Sequence, residues 1–219
     1  MISKFIAARK QIYRYRNSLK INNFYFNLTT TLFYFYKIKT IDKNLLINLR
    51  KFYAKEKIKK LNVIFKASGE EPRAMLGTLL GAVRNNGFAG RPSDIDYFLY
   101  SNNYVFLSKM LFKFGYDASI KTNYNVGKVL KVYGKGPPAD IIIPELKIIN
   151  NVEYLMFEKL HAKKTFFLKL TDYEAANEVR IYDTHVLVPL NAETYLTCWY
   201  GDDWMVEQKT RPRSNLIGE

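Results

Sequence analysis

The sequence predicts an α+β protein, a mixed β-sheet flanked by helices and preceded by a basic helical N-terminal extension. Three observations predict it. Between Asp42 and Leu61 apolar residues recur at helical spacing, at Leu45, Leu46, Leu49, Phe52 and Tyr53, which is the pattern of an amphipathic helix. Beyond Gly115 short β-branched runs alternate with Gly, Pro and Asn clusters, the pattern of strands and turns. The charge is also divided: residues 1–60 hold 15 of the 34 Lys+Arg but only Asp42 and Glu56 of the 20 acidic residues, leaving 19 basic and 18 acidic residues for the remainder. The net charge of +14 therefore belongs almost wholly to the N-terminal stretch. We divide the chain into an extension, residues 1–43, and a folded domain, residues 44–219.

Taken in order, residues 1–60 also carry twelve Phe and Tyr. The most apolar piece, Phe24 to Tyr36, is thirteen residues long and polar in its middle. A membrane span needs about twenty apolar residues, so no transmembrane helix is expected here. No apolar run with a small-residue cleavage site marks a signal peptide. Basic residues among aromatics fit peripheral contact with an anionic membrane or anionic polymer. The same composition serves nucleic-acid binders and ordinary solvated faces. Together these features predict a cytoplasmic protein resting at the inner face of a membrane, with nucleic acid not expected as a partner.

From Glu56 to Ala67 the sequence reads either as a continuation of the Asp42–Leu61 helix or as a second helix, and Pro72 ends that region. Arg73 to Leu76 reads as a short strand, Thr78 to Asn85 as a helix halted by Asn86-Gly87, and Phe88 to Ser93 as a loop. A strand then carries Asp94 and Asp96. Ser101 reads as the N-cap of a helix ending near Phe114, with Gly115 as its C-cap. Strands are expected at Ala118–Thr122 and Val129–Tyr133, with Gly127 at the turn between them. After the loop Gly134–Pro138, Ala139–Ile143 forms a strand opened by Asp140. Further strands fall at Val152–Phe157, Phe166–Leu170, Arg180–Tyr182 and His185–Val188. A last helix starts at Asn191 and ends at Gly201. The 48% hydrophobic content supplies an ample core. One cysteine, Cys198, excludes a disulfide framework and a Cys-based zinc site. Its neighbours Tyr195, Leu196 and Trp199 make it a buried structural thiol. His161 and His185 stand in no metal-ligand spacing.

The chemistry concentrates in Leu76–Tyr100, LGTLLGAVRNNGFAGRPSDIDYFLY. Strand residues two apart share a face, so Asp94 and Asp96 are expected side by side on a largely buried strand. Two carboxylates held that close repel one another, and burying them unpaired costs several kcal/mol each. A divalent cation is the usual compensation, and hard oxygen ligands suit magnesium. A D-x-D alone is common in loops, and Gly-Thr before a helix is commonly just a helix start. In combination they form the layout of a nucleotidyltransferase-type site, where a helix N-terminus offers N–H groups to a phosphate. Asp140 heads a β-branched run and is the candidate third carboxylate, although an Asp there also serves as a turn cap.

The segment GTLLGAVRNNGF followed by DID resembles the LicD family of lipopolysaccharide choline phosphotransferases, which shares its wider group with fukutin-related ribitol-phosphate transferases. Val188-Pro189, Thr194-Tyr195-Leu196 and Tyr200-Gly201-Asp202-Asp203-Trp204-Met205 resemble that family's closing block. The resemblance spans roughly residues 60–206. It departs at Arg91-Pro92-Ser93, where the family carries one or two extra acidic residues. The resemblance implies a nucleotidyltransferase fold and a Mg²⁺- or Mn²⁺-dependent transfer of phosphocholine, glycerol-phosphate or ribitol-phosphate. The donor would be a CDP-activated alcohol and the acceptor a hydroxyl of a cell-surface glycan.

In that reading Asp94, Asp96 and Asp140 are the catalytic and metal-binding residues, and Asp140 ligates a second ion or takes the hydroxyl proton. Gly77, Thr78, Arg84 and Ser93 bind the donor phosphates, and a surface ion pair is the alternative for Arg84. Asp202 and Asp203 are structural or line the acceptor side. Two other functions fit the same residues. One is a nucleotidyltransferase adding NMP from an NTP to RNA or protein; the other is a non-catalytic binding protein with a vestigial site.

Overall fold

The computed structural model describes residues 43–90, 92–121, 124–159 and 164–207. What was expected of residues 1–42 lies outside them. Helix α1, Lys43–Ser68, is one continuous helix, and its buried positions fall at three- and four-residue steps: Ala54, Ile58, Leu61, Ile64 and Phe65. That face differs from the expected one. Leu45 and Phe52 are 53% and 52% exposed, and Leu46 is the residue that turns inward near the start. The second half of the helix meets the rest of the core and so decides which stripe is covered. Gly69 ends it at φ +71, and the Glu70 N–H bonds back to the Phe65 carbonyl at 2.9 Å, a Schellman-type closure.

The elements that follow are β1 (Arg73–Ala74), α2 (Leu76–Asn85), β2 (Ile95–Phe98), α3 (Tyr104–Lys113), β3 (Asp117–Lys121), β4 (Tyr124–Val126), β5 (Lys128–Tyr133) and β6 (Ala139–Ile143). They are followed by β7 (Glu145–Ile149), β8 (Val152–Lys159), β9 (Lys164–Lys169), α4 (Leu170–Glu174), β10 (Asn177–Ile181), β11 (Thr184–Val188) and α5 (Ala192–Tyr200). A seven-stranded sheet runs in the order β10-β11-β1-β2-β6-β5-β3. It is mixed: β1 with β11 and β2 with β6 are parallel, and the other neighbours are antiparallel. A second, four-stranded sheet pairs β8 with β4, β7 and β9, all antiparallel. The class is therefore α+β with a mixed sheet flanked by helices, as the sequence predicts, but with two sheets.

The strand and helix boundaries depart from expectation in ways with local causes. α2 begins at Leu76, so Gly77-Thr78 lies within its first turn rather than before it. α3 begins at Tyr104 with Asn103 as its cap. Ser101 instead accepts the Asn103 N–H at 2.9 Å and donates to the Glu70 carboxylate at 2.8 Å. Strands β4 and β7 and the short helix α4 were not expected. β7 is exposed along its whole length, so no buried face imposes a readable alternation on it. The segment Phe166–Leu170 divides between a strand end and the first residue of α4.

Two layers enclose the seven-stranded sheet. Tyr97 of β2 meets Phe65 of α1 edge-on, with ring centroids 5.3 Å apart, so α1 covers that face. Phe98 points the other way and packs edge-on against Phe157 of the second sheet at 4.6 Å. α2 lies on β2 and against α5. Gly81 lets the loop after α2 fold back onto the helix: a Cβ there would stand 2.4 Å from the Gly87 carbonyl oxygen and 2.6 Å from the Ala89 nitrogen. Asn86 closes α2 in the left-handed region, φ +47. Its carbonyl accepts the Tyr182 N–H at 2.7 Å, and the Tyr182 hydroxyl accepts the Phe88 N–H at 3.2 Å. The β10–β11 turn thus props the loop that leads to Asp94. Among the described residues no helix is long and apolar enough to cross a membrane.

Candidate active site

Asp96 and Asp140 are direct register partners on the parallel strands β2 and β6. Paired residues of neighbouring strands share a face, and Tyr97 already occupies the α1 side, so both carboxylates project to the opposite side. Each is almost wholly buried, 9% and 8% exposed. β5 adds a cation to the same row. Lys131 is the register partner of Asp140, and its Nζ lies 2.5 Å from Asp140 Oδ2. Burial pulls the Lys131 ammonium toward the neutral form, but the Asp140 bond and charge, with smaller help from Tyr133 and Asp94, hold its pKa above the ordinary lysine value. The other oxygen, Asp140 Oδ1, is buried without a hydrogen-bond partner. A buried carboxylate oxygen left unpaired costs free energy, which makes this atom the point where the site calls for a further cation or donor.

Asp94 departs from expectation. Strand β2 begins at Ile95, so Asp94 sits in the loop just before it, exposed, and accepts the Ser93 hydroxyl at 2.7 Å. The Gly-rich loop leaves by way of Pro92 and enters the sheet only where the Ile95 N–H reaches the Pro138 carbonyl at 3.0 Å. The two strand-borne carboxylates are consequently Asp96 and Asp140, not Asp94 and Asp96. Among the described residues no three His, Cys, Asp or Glu side chains gather as a ready ligand set.

The start of α2 frames Asp96. The Thr78 hydroxyl is buried and accepts the Asp96 N–H at 2.9 Å, tying the helix to the strand. The Thr78 and Leu79 N–H groups both turn back to the Met75 carbonyl, at 3.1 and 3.2 Å. Gly77 lies against the carboxylate itself: a Cβ there would be 3.8 Å from Asp96 Oδ2. Gly77 and Thr78 are therefore beside the candidate centre, with Thr78 engaged on the Asp96 backbone.

Farther along α2, Arg84 bonds the Trp204 carbonyl (3.0 Å) and Asn85 Oδ1 (2.8 Å). It lines a cleft of about 210 Å³ with Leu80, Ala89, Tyr200, Asp203 and Trp204. None of Asp94, Asp96 and Asp140 lines this cleft, but Tyr200 on its wall lies within electrostatic reach of Asp96 and Asp94. Burial first, then the charges of Asp96 and Asp94, push its phenol well above the usual tyrosine range, and Arg84 offsets this in part. That phenol stays protonated at any physiological pH and is a hydrogen-bond donor within electrostatic reach of the site. Asp202 and Asp203 are exposed, with Asp203 on the rim of the cleft.

Lys131 and Tyr200 were not among the expected site residues. Tyr200 stands in the closing block that carried the resemblance, so a signal existed. Lys131 has none, because its place beside Asp140 follows from strand pairing alone. Cys198 is exposed rather than buried: Tyr195, Leu196 and Trp199 form the inward stripe of α5, and position 198 falls outside it.

Of the expected ligand set the structure brings together Asp96 and Asp140, hard oxygen donors of the kind a divalent cation takes, and leaves Asp94 in the loop before β2. Compared with known proteins, the sequence matches no family model and no curated protein.

Proposed function

We propose that the chain is a phosphotransferase of the LicD type with a nucleotidyltransferase-like fold. It moves a phospho-alcohol of the phosphocholine, glycerol-phosphate or ribitol-phosphate kind from a CDP-activated donor to a hydroxyl of a cell-surface glycan. The observation that carries the reading is the buried register pair Asp96–Asp140, with Asp96 against the first turn of α2 and one Asp140 oxygen lacking a partner.

In-line displacement at phosphorus needs alignment and charge neutralisation rather than a covalent intermediate. Asp94, Asp96 and Asp140 would hold one Mg²⁺ or Mn²⁺, whose chemistry when bound is to neutralise the diphosphate. Arg84 and Tyr200 line a cleft in which Tyr200 feels the charges of Asp96 and Asp94, and they suit phosphate oxygens, Arg84 as a planar donor and Tyr200 as a neutral one. Ser93 orients Asp94. Lys131 neutralises Asp140 Oδ2 and leaves Oδ1 to meet the cation or, alternatively, to take the hydroxyl proton.

The test is CMP release from CDP-choline, CDP-glycerol or CDP-ribitol with millimolar Mg²⁺. The expected result is turnover that Asp96→Asn abolishes while the melting temperature stays within a few degrees. Mg²⁺ should raise that temperature in the native protein but not in Asp96→Asn. Pyrophosphate release from an NTP would identify the nucleotidyltransferase reading instead.

A further inference from the structure

On the other side of the seven-stranded sheet lies a second pocket, of about 250 Å³, between α1 and the loop joining β5 to β6. Its floor holds an unusual group. Lys57 is 1% exposed, yet it has no carboxylate partner at hydrogen-bond distance. Its Nζ donates to the Val132 carbonyl at 2.9 Å and the Pro137 carbonyl at 2.8 Å and lies 5.4 Å from the centre of the Tyr116 ring. Burial lowers its pKa to about 7, against the opposing pull of Asp140. Tyr116, also on the lining and 4% exposed, buries its hydroxyl without a hydrogen-bond partner. Of these two buried polar groups, Lys57 is held by carbonyls alone and the Tyr116 hydroxyl has no hydrogen-bond partner.

The remaining lining supplies two more ammonium groups, Lys60 and Lys135, and two more rings, Phe52 and Tyr53. Glu56 is the one acidic residue there, and it already faces Lys55 at 3.9 Å and Lys59 at 3.4 Å. The surplus charge is positive. The pocket is also held in shape: Gly136, at φ +88, brings the loop so close that a Cβ would stand 2.8 Å from the Tyr53 carbonyl oxygen.

We propose that this pocket binds a small organic phosphate, with Lys57 beneath the phosphate, Lys60 and Lys135 at its rim, and the Tyr53 and Tyr116 rings against the organic part. Lys60 and Lys135 match a dianion in charge, and an anion bound above Lys57 favours the protonated form of that buried amine. The Tyr116 hydroxyl is buried beside the cavity without a hydrogen-bond partner of its own. The volume lies below the usual range for drug-sized ligands, so the organic part is no larger than a single ring. The site is separate from the carboxylates, which project from the opposite face. It is mechanically near them: Pro137 receives Lys57, Pro138 receives the Ile95 N–H, and β6 with Asp140 begins at the next residue.

Phenyl phosphate, titrated calorimetrically into the full chain at pH 7 and constant ionic strength, tests the proposal. Saturable binding is expected, weakened at least tenfold in both Lys57→Met and the double variant Lys60→Ala/Lys135→Ala, and unchanged in Asp96→Asn/Arg84→Ala. The rim variant removes only surface-side lysines and keeps the test valid where Lys57→Met does not fold. No saturable binding at millimolar ligand would overturn the assignment. So would binding that survives loss of the rim lysines, or binding lost with Asp96 and Arg84. The outcome is independent of whether CDP-alcohols are turned over.

Discussion

Lys57 and Asp140 show how burial acts on single groups. Asp140 keeps a cation on one oxygen and lacks any partner on the other. Lys57 is buried against carbonyls alone, and burial drops its pKa from 10.5 to about 7. The consequence for stability has a definite sign. Below pH 7 the folded and unfolded chains both hold the proton. Between about 7 and 10.5 the unfolded chain holds more of it, so stability rises with pH. The slope contributed by this one residue approaches about 1.4 kcal/mol per pH unit in that window. Denaturant unfolding at pH 6.5 through 9.5 should show the rise in the native protein and a flatter profile in Lys57→Met. Equal slopes would mean that Lys57 is not ionised differently in the two states.

At the scale of elements, two contacts set the geometry around the candidate site. Gly81 lets α2 lie directly on the Gly87–Ala89 backbone, and Gly81→Ala should cost roughly 1–3 kcal/mol as an overpacking change. Gly77→Ala should be near neutral for folding, because its nearest neighbour is at an ordinary contact distance, 3.8 Å. Thermal melts of the two variants side by side distinguish a packing glycine from a spacious one. The second contact joins α5 to α4. The Tyr195 hydroxyl donates to Asp172 Oδ2 at 2.5 Å and accepts the Lys169 N–H at 3.2 Å, and Asn191 reaches the other oxygen, Oδ1, at 3.2 Å. Asp172 is buried. Tyr195→Phe removes a hydrogen bond to a charged acceptor and should cost roughly 1.5–3 kcal/mol, measured by denaturant unfolding. Since α5 carries Tyr200, the proposed turnover should fall in parallel.

For the whole molecule, charge is the organising quantity. The first sixty residues carry 15 Lys+Arg and two acidic residues, and the remainder is close to neutral. Deleting residues 1–40 should therefore weaken binding to vesicles of anionic lipid in a salt-dependent way while sparing turnover of a soluble donor. Sedimentation with vesicles at low and high salt measures it. Unchanged binding after the deletion would remove the membrane role of the extension.

The strongly patterned parts of the chain were readable directly. The α+β class, the presence of a helix from Asp42 to Leu61, the β6 run opened by Asp140 and the helix closed by Gly201 follow from periodicity and from Gly, Pro and Asn punctuation, which are local properties. So does the association of Gly77-Thr78 with Asp96, because a short helix and loop leave the chain few ways to return. The tertiary structure decided what depends on pairing. It set Asp140 opposite Asp96, brought Lys131 to Asp140 and left Asp94 outside the strand. It also buried Lys57 on carbonyls, turned Cys198 outward and split the strands into two sheets. Those outcomes rest on register and on which helix face meets the sheet, and both come from contacts between residues far apart in the chain. Local sequence carries the preference for an element; only the packed whole determines its neighbours.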